Sequence, residues 1–212
     1  MRVAAQQALD LTLASRSPVR RRLLKAAGLR FDIAPAALDE TALLTELEMV
    51  RPALSFEARA TALARAKAKA VSARLPDQIV IGADQILEFE GEAYEAPDGR
   101  AEAAARLKAL RGKSHRLISG VAVVRAGEVL GAEAQGVSVV MRAFDDQELQ
   151  AYLDQAGEEV FGTVGAYALE ELGARLVERI DGDWFAALGL PLWPLLRMLE
   201  PLEEAARAAA RR

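Results

Sequence analysis

The chain has 212 residues, 52% of them hydrophobic and 27% charged, enough to bury a substantial core and too apolar for a disordered chain. Its net charge of −4 supplies no global basic field that would recruit nucleic acid. With no cysteine, and His115 as the single histidine, disulfide scaffolds, thiol nucleophiles, cysteine-held zinc or iron–sulfur sites and multi-histidine metal centres are excluded. Any metal must then be held by oxygen, which favours magnesium or manganese. No apolar run reaches transmembrane length and no secretory signal pattern is visible, so a cytoplasmic protein with no membrane partner is expected.

Residues 11–14 read as a short buried strand that turns abruptly into a helix. Ser17 can cap that helix, Pro18 suits its first turn, and Leu23, Leu24 and Ala27 give it a core-facing stripe. A helix start leaves free backbone N–H groups, and Ser15, Arg16, Ser17 and Arg20 surround them with hydroxyls and positive charge. That is the chemistry of a phosphate or pyrophosphate site, although a capped surface helix with basic decoration fits the stretch about as well. Arg2, Arg16, Arg20, Arg21, Arg22 and Lys25 make this end locally basic, consistent with a focused anion site more than a DNA track.

A second strand is expected over residues 29–34, followed by Asp39 and Glu40 in a polar connection. Up to Pro52 the pattern allows only a short helix on Leu43, Leu44 and Leu47. Residues 55–75 are the clearest long helix, alanine-rich and carrying Lys67. A buried strand over residues 79–83 should end at Asp84 and Gln85, with 86–89 continuing extended and a turn at residues 90–92. A helix over 101–110 precedes two strands, 116–125 and 128–141, joined at Ala126-Gly127 as the best hairpin candidate. Asp145 or Asp146 can cap a helix over 148–154 that Gly157 ends. A strand over 175–180 and a helix over 192–199 complete the pattern. Residues 205–212 read as a frayed helical tail, and the tail is placed at 201–212 in the domain reading. Strands interspersed with helices around a hairpin predict an α/β protein with a mixed sheet.

Asp84 is the leading catalytic candidate: a carboxylate just past a buried strand can either ligate a divalent ion or accept a proton from attacking water. A turn or cap role is the plainer alternative. Glu40 is the expected second oxygen ligand, and Lys67 can meet phosphates as a point charge. Lys113, with Arg111 and Arg116, offers a second phosphate contact or an ordinary solvated loop. Glu170 has the chemistry to accept hydrogen bonds from a base, while His115 reads as structural.

Several short strings keep a common order along the chain: residues 13–18 (LASRSP), Asp39-Glu40, residues 63–68 (LARAKA), 82–85 (GADQ), 110–115 (LRGKSH), 165–167 (GAY), 182–184 (GDW) and 189–191 (GLP). Together they resemble the Maf family of nucleoside triphosphate pyrophosphatases over residues 11–200. The resemblance implies an elongated mixed α/β fold, similar to inosine triphosphatases, as one domain of two lobes with a cleft between them. It implies hydrolysis between the α and β phosphates of a nucleoside triphosphate, with magnesium or manganese as cofactor, and a homodimer. In that pattern Asp84 is the proton acceptor, Glu40 and Asp84 are the metal-side carboxylates, and Ser15, Arg20 and Lys67 are further active-site positions. Base preference varies at positions matching Val19, Gln85 and Glu170. Gln85 and Glu170 resemble the branch acting on 7-methyl-GTP more than the branch acting on dTTP and UTP. The chain departs from the pattern at Ala96, where lysine is usual, at Glu171, where glycine is usual, and at Ala186, often polar. Those departures leave open a catalytically weak nucleotide-binding regulator of cell division.

Overall fold

The computed structural model describes residues 9–50 and 54–211, so Arg2, Arg51 and Pro52 lie outside the described residues. Its centre is a seven-stranded mixed sheet in the order β2-β1-β3-β5-β6-β7, with β4 also paired to β3. The strands are β1 (Leu11–Leu13), β2 (Asp32–Ile33), β3 (Ile79–Phe89), β4 (Glu92–Tyr94), β5 (Ser114–Arg125), β6 (Glu128–Met141) and β7 (Val177–Asp181). The β1 strand runs parallel to β2 and β3, and every other pairing is antiparallel. The hairpin predicted at Ala126-Gly127 joins β5 to β6, with φ of 50° and 81° at the two turn residues, the left-handed pair that a two-residue hairpin loop demands.

Seven helices accompany the sheet among the described residues: α1 (Pro18–Ala26), α2 (Glu40–Val50), α3 (Phe56–Ser72), α4 (Arg100–Leu110), α5 (Asp146–Ala156), α6 (Trp184–Ala187) and α7 (Leu192–Ala209). Capping residues set several starts. Ser17 accepts from the Arg20 N–H at the head of α1, and Asp145 forms a reciprocal capping box with Glu148 on α5.

The helix α3 lies flat across β3 and β5, and its alanines explain how closely. Ala60, Leu63, Ala64, Ala68 and Val71 recur at helical spacing on the buried face. Opposite them the strands carry Gly82 and Gly120. A Cβ on Gly82 would sit 2.1 Å from the Ala64 carbonyl oxygen, and one on Gly120 2.3 Å from that of Ala60. Small residues on both surfaces therefore let backbone meet backbone.

Strand alternation assigns the two faces of β3. Val80 and Ile86 pack on the α3 side, with Gly82 beneath that helix. Ile79, Ile81 and Ala83 join a core with α1 and α7 on the other side, while Leu87 and Phe89 join a second core with α4 and α5. These two cores are strung along the same strands.

Four expectations change in the structure. The strand expected to stop at Ala83 runs unbroken through Asp84 and Gln85 to Phe89, because β5 pairs with it along nearly its whole length and opposes Asp84 with Gly120. The strand expected over 29–34 contracts to two exposed residues, Asp32 and Ile33. Glu40 opens an eleven-residue helix instead of lying in a loop, with Asp39 accepting from the Ala42 N–H. The last helix, expected over 192–199, continues through Pro201 to Ala209, so the expected helical tail is part of it.

Candidate active site

The sheet itself makes the opening. On one edge of β3, β1 pairs with Ile79 through Ile81, and β4 pairs with Leu87 through Phe89. Among the described residues, 82–86 have no strand neighbour on that edge, and Asp84 lies in the gap. A side chain stands in for the missing strand: Arg20 Nη1 donates to the Ala83 carbonyl at 2.8 Å and to Ser15 Oγ at 3.2 Å. Arg20 Nε donates to the Gly189 carbonyl at 2.8 Å. One guanidinium thus joins α1, β3 and the turn before α7. Burial pushes it below its ordinary pKa, opposed by the charges of Asp84 and Glu40.

Asp84 points to the α3 side and is buried. There Lys67, which shares the apolar stripe of α3 at one helical step from Leu63, reaches it: Nζ donates to Asp84 Oδ1 at 2.5 Å and lies 2.9 Å from Glu40 Oε1. Two carboxylates share one ammonium. An interior lysine held this way would be costly without both partners.

These three residues border a cleft of about 780 Å³ that Val19, Gln85, Ala96, Tyr167 and Glu170 also line. A second recess continues from it past Ser15, Arg16, Ser17, Glu40 and Lys67 to the start of α1. Ser15 Oγ accepts from the Ser17 N–H at 3.2 Å, which fixes the hydroxyl at the helix start. Gln85, on the opposite face of β3 from Asp84, donates to the Ala187 carbonyl at 3.0 Å. Its amide is thereby oriented by the C-terminal end of α6. Glu170 enters the cleft wall already paired with Arg22 at 2.7 Å.

Lys113 is the expected site residue that the structure places elsewhere. It lies 2.9 Å from Glu90 and stacks over Phe89, while Arg111 pairs with Asp146 and Arg116 with Glu57. The register explains this: Gly120 opposes Asp84, and Lys113 lies seven residues earlier, just ahead of β5, about 23 Å of extended chain away.

One residue bearing on the cleft had no clear sequence signal. Arg106, buried on α4, donates from Nη1 to the Glu95 carbonyl and to that of Val164 at 2.7 Å, and stacks on Tyr94. It ties together two loops that wall the cleft. Its only trace in the sequence is an arginine on the helix face shared by Ala103, Leu107 and Leu110. His115, structural as expected, lies 2.5 Å from the Tyr167 hydroxyl, and burial lowers its pKa to about 4. Burial pushes the Tyr167 hydroxyl up, so both groups are neutral near pH 7.

The donor set suits a hard divalent cation. No cluster of three or more His, Cys, Asp or Glu side chains occurs among the described residues. Glu40 and Asp84 nonetheless converge within reach of one ammonium, and magnesium-type sites commonly combine one or two carboxylates with substrate phosphates and water. No helix among the described residues is long and apolar enough to cross a membrane.

Comparison with known proteins fits this arrangement. A Nitrobacter hamburgensis protein named nucleoside triphosphate pyrophosphatase is 46% identical over 189 residues, covering 89% of this chain and 92% of its own. A Rhizobium johnstonii protein named 7-methyl-GTP pyrophosphatase is 43% identical over 192 residues, covering 91% and 96%. A solved structure of the Staphylococcus aureus Ham1 protein aligns over 63% of this chain and 72% of its own, at 16% identity and a TM-score of 0.39, too distant to carry an argument. The sequence profile described as Maf-like protein matches residues 10–202, and on that match, with relatives above 40% identity over nearly the whole chain, the protein belongs to the Maf family.

Proposed function

We propose that this chain hydrolyses nucleoside triphosphates between the α and β phosphates, releasing a monophosphate and pyrophosphate. The observation that carries the reading is the Glu40–Lys67–Asp84 cluster at the gap in β3, where the cleft meets the recess at the start of α1. A triphosphate lying across that junction would set its phosphates against Ser15, Arg16, Ser17 and the positive end of the α1 dipole. Its base would extend into the cleft toward Gln85 and Glu170.

Asp84 takes the proton of the attacking water, and its rigid place on β3 keeps the carboxylate aimed at the scissile bond. Lys67 leaves its carboxylate partners to donate to phosphate oxygens as negative charge builds there. Arg20 works at one remove, because its bonds to Ala83, Ser15 and Gly189 hold the walls in register. Glu40 and Asp84 would hold magnesium or manganese, which when bound offsets charge on the phosphates.

Within this reading, 7-methyl-GTP is the preferred substrate. Glu170 and Gln85 line the cleft, a carboxylate accepts from the N1 and N2 donors of guanine, and two relatives carry that name while others are named nucleoside triphosphate pyrophosphatase. The acidic net charge and the family likeness support a homodimer acting on free nucleotides in the cytoplasm, without nucleic acid as partner.

The test is a nucleotide panel of 7-methyl-GTP, GTP, dTTP and UTP with magnesium or manganese, resolving pyrophosphate from phosphate release. Asp84→Ala should lower turnover by roughly 100-fold or more while the protein still folds. Robust turnover by Asp84→Ala would overturn the mechanism. Saturable binding with no turnover across the panel would favour a regulator that has lost catalysis, which Ala96 in the cleft wall motivates.

A further inference from the structure

Arg22 lies on α1 outside the cleft lining, with its side chain more than half exposed, yet it grips a residue that lines the cleft. Its Nη2 donates to Glu170 Oε1 at 2.7 Å, and its Nη1 lies 3.5 Å from Glu171 Oε1. Glu170 itself is largely buried, and its second carboxylate oxygen has no protein partner among the described residues. The guanidinium is therefore shared between two adjacent carboxylates, one in the cleft wall and one outside it.

We propose that Arg22 is a specificity-determining residue, setting how much negative charge Glu170 offers to the base of the nucleotide. The inference rests on the reading of Glu170 as a base acceptor given above. N7-methylation places a formal positive charge on a purine ring, so a methylated base and Arg22 compete for the same carboxylate. A neutral guanine presents only N–H donors and competes less. Arg22 thus restrains the preference for cationic bases that Glu170 alone would create. Glu171 relaxes that restraint by giving Arg22 somewhere else to bind, and this gives a purpose to a carboxylate at a position where the family pattern has glycine.

The experiment measures kcat/KM for 7-methyl-GTP and GTP in the wild type, Arg22→Ala, Glu171→Ala, Glu170→Gln and Arg22→Ala/Glu170→Gln. The same proteins are titrated calorimetrically with the α,β-methylene analogues of both nucleotides. Arg22→Ala should raise the 7-methyl-GTP to GTP ratio by about threefold or more, the scale of a partly exposed ion pair. Glu171→Ala should lower it, and Arg22→Ala should change nothing in the Glu170→Gln background. A ratio unmoved by Arg22→Ala, or moved equally with Glu170→Gln, overturns the proposal. A purely structural clasp would change KM for both nucleotides alike and leave the ratio fixed. If the wild type hydrolyses neither nucleotide, the pyrophosphatase reading fails, and the affinity ratio alone still decides the role of Arg22.

Discussion

Lys67 Nζ stands 2.5 Å from Asp84 Oδ1 and 2.9 Å from Glu40 Oε1, so one ammonium on α3 bridges carboxylates from β3 and α2. The pairing gives the buried Asp84 carboxylate a cationic partner. It also makes the lysine a stand-in for whatever cation a nucleotide brings.

Replacing Lys67 with Met should expose that dependence. Two carboxylates would face each other without their shared ammonium, and manganese would relieve the repulsion. The expected outcome is a melting temperature that rises with added manganese by more than the wild type's does, together with a fall in pyrophosphate release of about 100-fold. Equal manganese responses in the two proteins would show that the carboxylates do not act as a pair.

Gly82→Ala should destabilise the fold by about 3 kcal/mol in urea denaturation. The added methyl would meet the Ala64 backbone carbonyl, which cannot step aside as a flexible side chain would. A shift under 1 kcal/mol would mean that α3 can lift from the sheet at little cost.

Acid should weaken the protein partly through His115. Its folded pKa is depressed to about 4 from an ordinary 6.5, so the unfolded chain binds more protons between those values. That share of stability is complete above about pH 6.5 and disappears as pH falls toward 4, up to about 3 kcal/mol in all. Urea titrations from pH 7 to 4.5 should show this slope in the wild type and a shallower one in His115→Gln. Parallel slopes would contradict it.

Arg106→Met should separate the two loops that wall the cleft, leaving the Glu95 and Val164 carbonyls without their donor. We expect a loss of about 3 kcal/mol in stability and a raised KM, with kcat less affected. Urea denaturation and steady-state kinetics on the same preparation check both. A variant that lost kcat at unchanged KM would point instead to a direct role in the chemistry.

Features governed by neighbours in sequence were legible from the chain alone. Ser17-Pro18 starts α1, Asp145 (one of the two cap candidates) starts α5, and Ala126-Gly127 turns the hairpin, because each acts within four residues. The long alanine-rich helix α3 was equally plain, though not the direction in which it sends Lys67. Only tertiary structure decided the rest. Asp84-Gln85 looks like a strand end by local polarity, yet β5 supplies its hydrogen bonds, and the missing neighbour is on the other edge. Lys113 looks equivalent to the other basic candidates until strand register carries it away from Asp84. The contacts of Arg20 with Gly189, Arg106 with Val164 and Arg22 with Glu170 join residues far apart in the chain, and no local pattern encodes which carbonyl or carboxylate a long side chain will find. The sequence determined which groups the site contains; the pairing of strands determined which of them meet.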